Sequence, residues 1–268
     1  MNAYGRRIRF FRLLALAGLL ALSGCVTTTD SPFAKEADKE KAEKNYVRLG
    51  TAYLGQGNYD RARDHLKRAL EINPQSAGAL SAMGLIYQSE GEPELADDYF
   101  KKALRSDGSY TRGRIYYGAF LYSQGKFKDA SEQFETASKD TEYEDRGSIF
   151  YNLGRTQQAM GKDDDALQSY YRAVELSRGN ASYLLAVSTA LVNKQQYTEA
   201  SAFYNRLQRM INDNPQMQHS PESLYTGIRL AHYYGDKHRE ASLALLLRNQ
   251  YPESEELKQY RALISNDK

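Results

Sequence analysis

The chain has 268 residues, with 36 Lys plus Arg against 34 Asp plus Glu, one Cys, four His and no Trp. One thiol excludes an internal disulfide and a multi-thiolate zinc site, and His65, His219, His232 and His238 are too scattered to suggest a ligand set. The formal charge of +2 invites an acidic partner such as nucleic acid or anionic lipid, but Arg6, Arg7, Arg9 and Arg12 crowd the extreme amino terminus with no acid among them.

Those arginines precede the apolar run Leu13 to Leu22, LLALAGLLAL. As a helix it spans about 15 Å, half of the roughly 30 Å of a bilayer's hydrocarbon core, so it cannot cross alone. A basic flank followed by a short apolar run reads as a signal peptide over residues 1–24. The run ends in Leu22-Ser23-Gly24-Cys25, which resembles the lipobox of bacterial lipoproteins. That resemblance implies diacylation of the Cys25 thiol, cleavage just before it and acylation of the new amino terminus, so lipoprotein processing and sorting machinery are expected partners. Val26 in place of Asp after the cysteine implies export to the periplasmic face of the outer membrane of a Gram-negative bacterium. Several acyl chains anchor stably where one is marginal. This covalent lipid is the only cofactor-like group expected. Removing residues 1–24 takes away four positive charges and no negative ones, leaving 32 basic against 34 acidic side chains, a net of about −2. A nucleic-acid partner thereby loses its electrostatic basis.

Residues 25–42 are polar, with Phe33 the only large apolar side chain, and read as the lipidated cysteine and a flexible linker. Beyond them a repeat sets in. Gly50, Gly84, Gly118 and Gly154 are spaced by 34, 34 and 36 residues, and twelve residues after each stands Ala62, Ala96, Ala130 or Ala166, a series continued by Ala200. Four residues further come Leu66, Phe100, Phe134, Tyr170 and Tyr204, followed by Ala69, Ala103, Ala137 and Ala173. The pattern is that of the tetratricopeptide repeat, a pair of antiparallel helices in 34 residues, and the expected fold is an all-α solenoid. The small residues fall where the two helices cross, and Gly57, Gly91, Gly125 and Gly161 fall at the turn between them. Pro74 ends the first repeat.

The repeats are placed at 43–76, 77–110, 111–144, 147–180 and 181–214, with a degenerate sixth at 222–255 in which Ala241 and Leu245 take the second-helix positions. Residues 215–221 read as a loop, and 255–268 as a capping helix. No unit buries its apolar face alone, so the stack is one quasi-linear domain.

No catalytic constellation appears. HExxH, GxxxxGK[ST] and GxSxG are absent, and Asp163-Asp164-Asp165 stands at a helix start, where carboxylates meet the helix dipole. Neither an enzyme activity nor a small-molecule substrate is expected. In a tetratricopeptide stack the first helix of each pair lines the concave face. That register selects Val47, Thr51 and Leu54, then Ser81, Leu85 and Gln88, then Ile115, Ala119 and Tyr122, then Tyr151 and Arg155, then Leu185, Thr189 and Val192. Such a groove is mainly apolar with occasional aromatics, suited to an amphipathic helix or an extended peptide. The Lys, Arg and Asn set with which chaperone-binding relatives clamp a terminal carboxylate is missing, apart from Asn152.

A lipobox, a short linker and about six repeats together resemble the type IV pilus pilotin family, the PilF/PilW lipoproteins. The stretches that carry the likeness are Asn45 to Gly50 with Tyr53-Leu54, Tyr117 to Tyr122, and Gly227-Ile228-Arg229-Leu230-Ala231. The resemblance implies a non-enzymatic scaffold that binds the pilus secretin and promotes its outer-membrane localisation and multimerisation, in support of pilus assembly and twitching motility. The competing reading is a tetratricopeptide lipoprotein of another envelope assembly complex, such as outer-membrane protein insertion.

Overall fold

The computed structural model describes residues 32–177 and 179–266; Cys25 and the signal segment lie outside them. Among the described residues there are thirteen helices and no strand. They run α1 (Pro32–Gly55), α2 (Tyr59–Ile72), α3 (Ala77–Ser89), α4 (Pro93–Ser106), α5 (Thr111–Ser123), α6 (Phe127–Ala137), α7 (Arg146–Ala159), α8 (Asp163–Leu176), α9 (Ala181–Asn193), α10 (Tyr197–Asp213), α11 (Pro221–Tyr233), α12 (Lys237–Gln250) and α13 (Glu255–Asn266). Consecutive helices pair as six hairpins, each packing on the next, and α13 closes the stack against α11 and α12.

Residues 32–42, expected as linker, are helical and continue into the first repeat without a break. Their composition explains this. Apart from Asp38, the segment AKEADKEKAEK consists of strong helix formers, Pro32 suits a first helical position, and Glu40 pairs with Lys44 one turn on at 2.5 Å. It forms by propensity rather than burial, and residues 35–41 are fully solvated. The search for apolar periodicity passes over a helix of this kind.

Caps and turns follow local chemistry. Asn58, Ser76, Asp145, Asn180, Ser220 and Asp236 accept backbone N–H bonds at helix starts. Five of the six hairpin turns place a glycine at φ near +70°, and the remaining one carries Gln195 at φ 60, a left-handed geometry that costs a side-chain-bearing residue energy. Asn73, ahead of Pro74, is extended and ends α2.

Inside each of the first five hairpins a small residue on the first helix faces a large one on the second. A Cβ at Gly50 would lie 2.7 Å from Leu66, one at Gly84 2.9 Å from Phe100, one at Gly118 2.9 Å from Phe134 and one at Gly154 2.6 Å from Tyr170. Ala62, Ala96, Ala130, Ala166 and Ala200 are fully buried beside them. In the fifth repeat Ser188 takes the glycine's place, wholly buried, with its hydroxyl donating to the Leu184 carbonyl at 2.7 Å. Ala62→Leu should overpack the α1–α2 crossing and cost about 1–3 kcal/mol. An unchanged thermal midpoint would count against the crossing assigned here.

The sixth repeat corrects the expected register. Aligned on its turn, Gly235 with Asp236 corresponds to Gly57 with Asn58. The second-helix positions are then Glu240 and Ala244, not Ala241 and Leu245, which are both exposed. The size pattern is inverted, with Ile228 on the first helix and Ala244 on the second, in a cluster with Leu224, Leu243, Leu247 and Leu257. Glu240 is buried, its carboxylate 3.3 Å from both His232 Nδ1 and Lys237 Nζ. The apolar alanine-based template fails where a carboxylate with its own partners stands in for the alanine.

Candidate functional site

The inner layer of the stack is made of the first helix of each hairpin. Contacts run from α1 to α3, α3 to α5 and α9 to α11; they thin between α5 and α7, while α7 and α9 meet through large side chains. The bulky pair there is Tyr151 and Tyr183, ring centroids 4.9 Å apart. Two chemically different stretches of concave surface result.

The amino-terminal stretch is aliphatic. Val47, Thr51 and Leu54 on α1, Leu85 and Gln88 on α3, and Ile115 on α5 are all half-buried, and Ala119 is exposed. The Thr51 hydroxyl turns back to the carbonyls of Val47 and Arg48, both at 3.0 Å, so this strip offers little hydrogen bonding outward. Beside it a cavity of about 510 Å³ opens between the middle of α1, the start of α3 and the connection from α4 to α5, with Val47, Ser76 and Tyr110 in its wall.

Ser81 departs from expectation. It is fully buried and donates to the Gly78 carbonyl at 3.1 Å. Tyr110, from the connection between α4 and α5, interacts with its hydroxyl. Val192, at the end of α9, is also fully buried. Both lie on the first helix at positions that helical register alone places on the concave side; contact with the neighbouring repeat removes them from it.

The carboxy-terminal stretch is aromatic and polar. Tyr122 and Tyr151 are half-buried and Arg155 is exposed. The Arg155 guanidinium lies 4.7 Å from the centre of the Tyr122 ring and 5.8 Å from that of Tyr151. Tyr151 also meets the ring of Tyr170 at 6.0 Å, and Tyr170 donates its hydroxyl to Gln158 at 2.8 Å. Tyr151, Arg155, Gln158 and Tyr170 line a cavity of about 310 Å³ completed by Ser182, Leu185, Ala186 and Thr189 of α9, and by Ser220 and Glu222 at the start of α11. Burial pushes the Tyr151 phenol up and that of Tyr183 up to about 12, so both stay protonated donors. Glu222 keeps exposed surface, but the walls of the cavity crowd its carboxylate, and this desolvation raises its pKa against the opposing pull of the Thr189 hydroxyl and Arg155.

Of the eleven groove positions selected from the first four repeats, ten keep accessible surface and Ser81 does not, and Tyr122, Tyr151 and Arg155 are brought into one cluster. Glu222, Gln158 and Ser182 were not foreseen. Glu222 follows Pro221 at a helix start, where an acid is adequately explained by the helix dipole, so nothing local singles it out. Among the described residues no group of three or more His, Cys, Asp or Glu could hold a metal ion, and no helix is long and apolar enough to cross a membrane.

Models of the tetratricopeptide repeat match residues 41–107, 121–181 and 151–215. A type IV pilus assembly protein of Pseudomonas aeruginosa, PilF, is 36% identical over 251 residues, covering 92% of this chain and 97% of its own length. A solved structure of P. aeruginosa PilF matches with TM-score 0.77 and 34% identity over 84% of this chain and 99% of its own. PilW, described as a widely conserved type IV pilus biogenesis factor, shares the fold at TM-score 0.68 and 19% identity, over 81% of this chain and 97% of its own. YrrB, a tetratricopeptide protein described as having an unusual peptide-binding site, shares it at TM-score 0.58 and 20% identity, over 74% of this chain and 97% of its own.

Proposed function

The chain belongs to the PilF/PilW family of tetratricopeptide proteins of type IV pilus biogenesis, and on that premise we propose that it is a pilotin, a lipid-anchored scaffold that binds the pilus secretin. Its acylated Cys25 enters lipoprotein sorting while the concave face holds a secretin segment, so that the subunit travels to the outer membrane with its carrier. Tethering there raises the effective concentration of subunits for ring assembly. The observation that carries this reading is the half-buried aliphatic strip of Val47, Leu54, Leu85 and Ile115 along the inner layer, a groove for an apolar segment of a protein partner. The similarity to a pilus assembly protein over nearly the whole chain favours a secretin over a component of outer-membrane protein insertion.

Anchor and groove make separable contributions. Cys25→Ser should leave the solenoid folded, release the protein from outer-membrane fractions and lower the yield of secretin multimers by about tenfold or more, since co-delivery is lost with the tether. Fractionation followed by quantitation of heat-resistant multimers reads both effects. Unchanged secretin location and multimer yield would sink the mechanism.

A further inference from the structure

The two stretches of the concave face ask for different chemistry, and the second is specific enough to name what it takes. Arg155 makes no ion pair among the described residues. Its guanidinium lies over the rings of Tyr122 and Tyr151, and none of its N–H groups makes a hydrogen bond among the described residues. A guanidinium held by aromatic faces is pre-organised for a carboxylate, which its edge can receive in bidentate fashion. Glu222 lines the same cavity but lies beyond ion-pair distance, so it does not satisfy Arg155 internally. The cavity thus presents a cation on one wall, an acceptor on another, and exposed polar positions such as Ser182 at its rim.

We infer that the cavity between α7, α9 and α11 is a reading site for an acidic side chain of an extended peptide segment, its carboxylate received by Arg155 and a neighbouring N–H of the segment by Glu222. The volume of about 310 Å³ accommodates a side chain with its adjoining backbone rather than a folded element. The aliphatic strip holds the apolar part of a partner, and this pocket sets its register and rejects segments that carry no acid at the matching place, because an apolar occupant would leave Arg155 desolvated without an ion-pair partner. The inference rests on the reading that the concave face receives a protein segment, but not on that segment being a secretin's.

The test uses the full lipidated chain in its own envelope, with a photoreactive residue at Ser182 in one strain and at Leu54 in another. Both positions line the concave face, and the Ser182 side chain makes no hydrogen bond. At Ser182 the captured peptide should contain Asp or Glu. Arg155→Gln should lower that yield about tenfold, the loss of one charge-assisted pair, with Arg155→Lys in between and the melting temperature unchanged. Neutralising the partner's acid should cause the same loss, and no further loss in the Arg155→Gln background. A captured segment without an acid, no capture at Ser182, or a yield indifferent to Arg155→Gln would overturn the assignment. Secretin captured at Leu54 with Ser182 indifferent to Arg155 would overturn the pocket and leave the pilotin reading standing. An acidic segment of a different protein at Ser182 would do the reverse.

Discussion

Replacing Phe100 by alanine is expected to destabilise the protein by about 3–5 kcal/mol, among the largest effects of a single core substitution in this chain. Phe100 on α4 is completely buried. Its ring lies against the bare backbone of Gly84 on α3 and meets Tyr117 and Phe120 of α5 at centroid distances of 5.6 and 5.4 Å. It therefore fills the crossing of its own hairpin and also the seam to the next. Truncation loses the transfer energy of the ring and leaves a cavity that Gly84, having no side chain, cannot help to fill. Phe100→Leu places the residue that the first repeat uses at the same position, Leu66, and should cost only about 1 kcal/mol. Urea unfolding followed by circular dichroism checks both, and equal small losses would show that the ring does not bridge two repeats. Because stability in a solenoid is a sum of repeat and neighbour-interface contributions, loss of amide protection should concentrate in α3 to α6.

The second large effect is expected at Gly227 of α11. A Cβ there would lie 2.2 Å from the hydroxyl oxygen of Tyr204, 2.6 Å from its ring carbon and 2.9 Å from Leu243. Tyr204 has nowhere to go, being fully buried with its hydroxyl donating to the Ser223 carbonyl at 3.0 Å. Gly227→Ala should therefore overpack the seam between the fifth and sixth hairpins and break that bond, for a cost of about 3 kcal/mol. Adding Tyr204→Phe removes the closest atom but leaves the ring, so the double variant should recover part of the loss although Tyr204→Phe alone is destabilising. Strict additivity of the two substitutions would show that Gly227 and Tyr204 do not meet. This glycine is distinct from those at the hairpin crossings, since it admits the tyrosine of the preceding repeat rather than the large residue of its own.

How much of this was legible in the chain differs by feature. The crossings of the first four hairpins were readable because one geometry recurs every 34 to 36 residues and demands the same small and large residues each time, from Gly50 with Leu66 to Gly154 with Tyr170. The sixth hairpin was misread by one residue. There Glu240 holds the alanine position with His232 and Lys237 around it, and Ile228 with Ala244 inverts the size pattern, so the nearest alanine in sequence, Ala241, is a solvent residue. The helix over residues 32–42 was missed for the opposite reason, as it depends on intrinsic propensity and has no buried face to leave a periodic trace.

The sequence by itself determined the architecture, the antiparallel pairing within each repeat and the helix faces that form the concave surface, because all of these depend on local periodicity and residue size. It also carries the stretch Leu22 to Cys25 that resembles a lipobox, a likeness that is chemical rather than conformational. Only the tertiary structure decided which of those faces remain open. Ser81 and Val192 are in register yet covered, whereas Arg155, Ser182 and Glu222 come from three different helices to one cavity. That cavity depends on how far one repeat rotates from the next. The rotation is the summed outcome of bulky contacts such as Tyr151 against Tyr183 across a seam, and no single repeat encodes it.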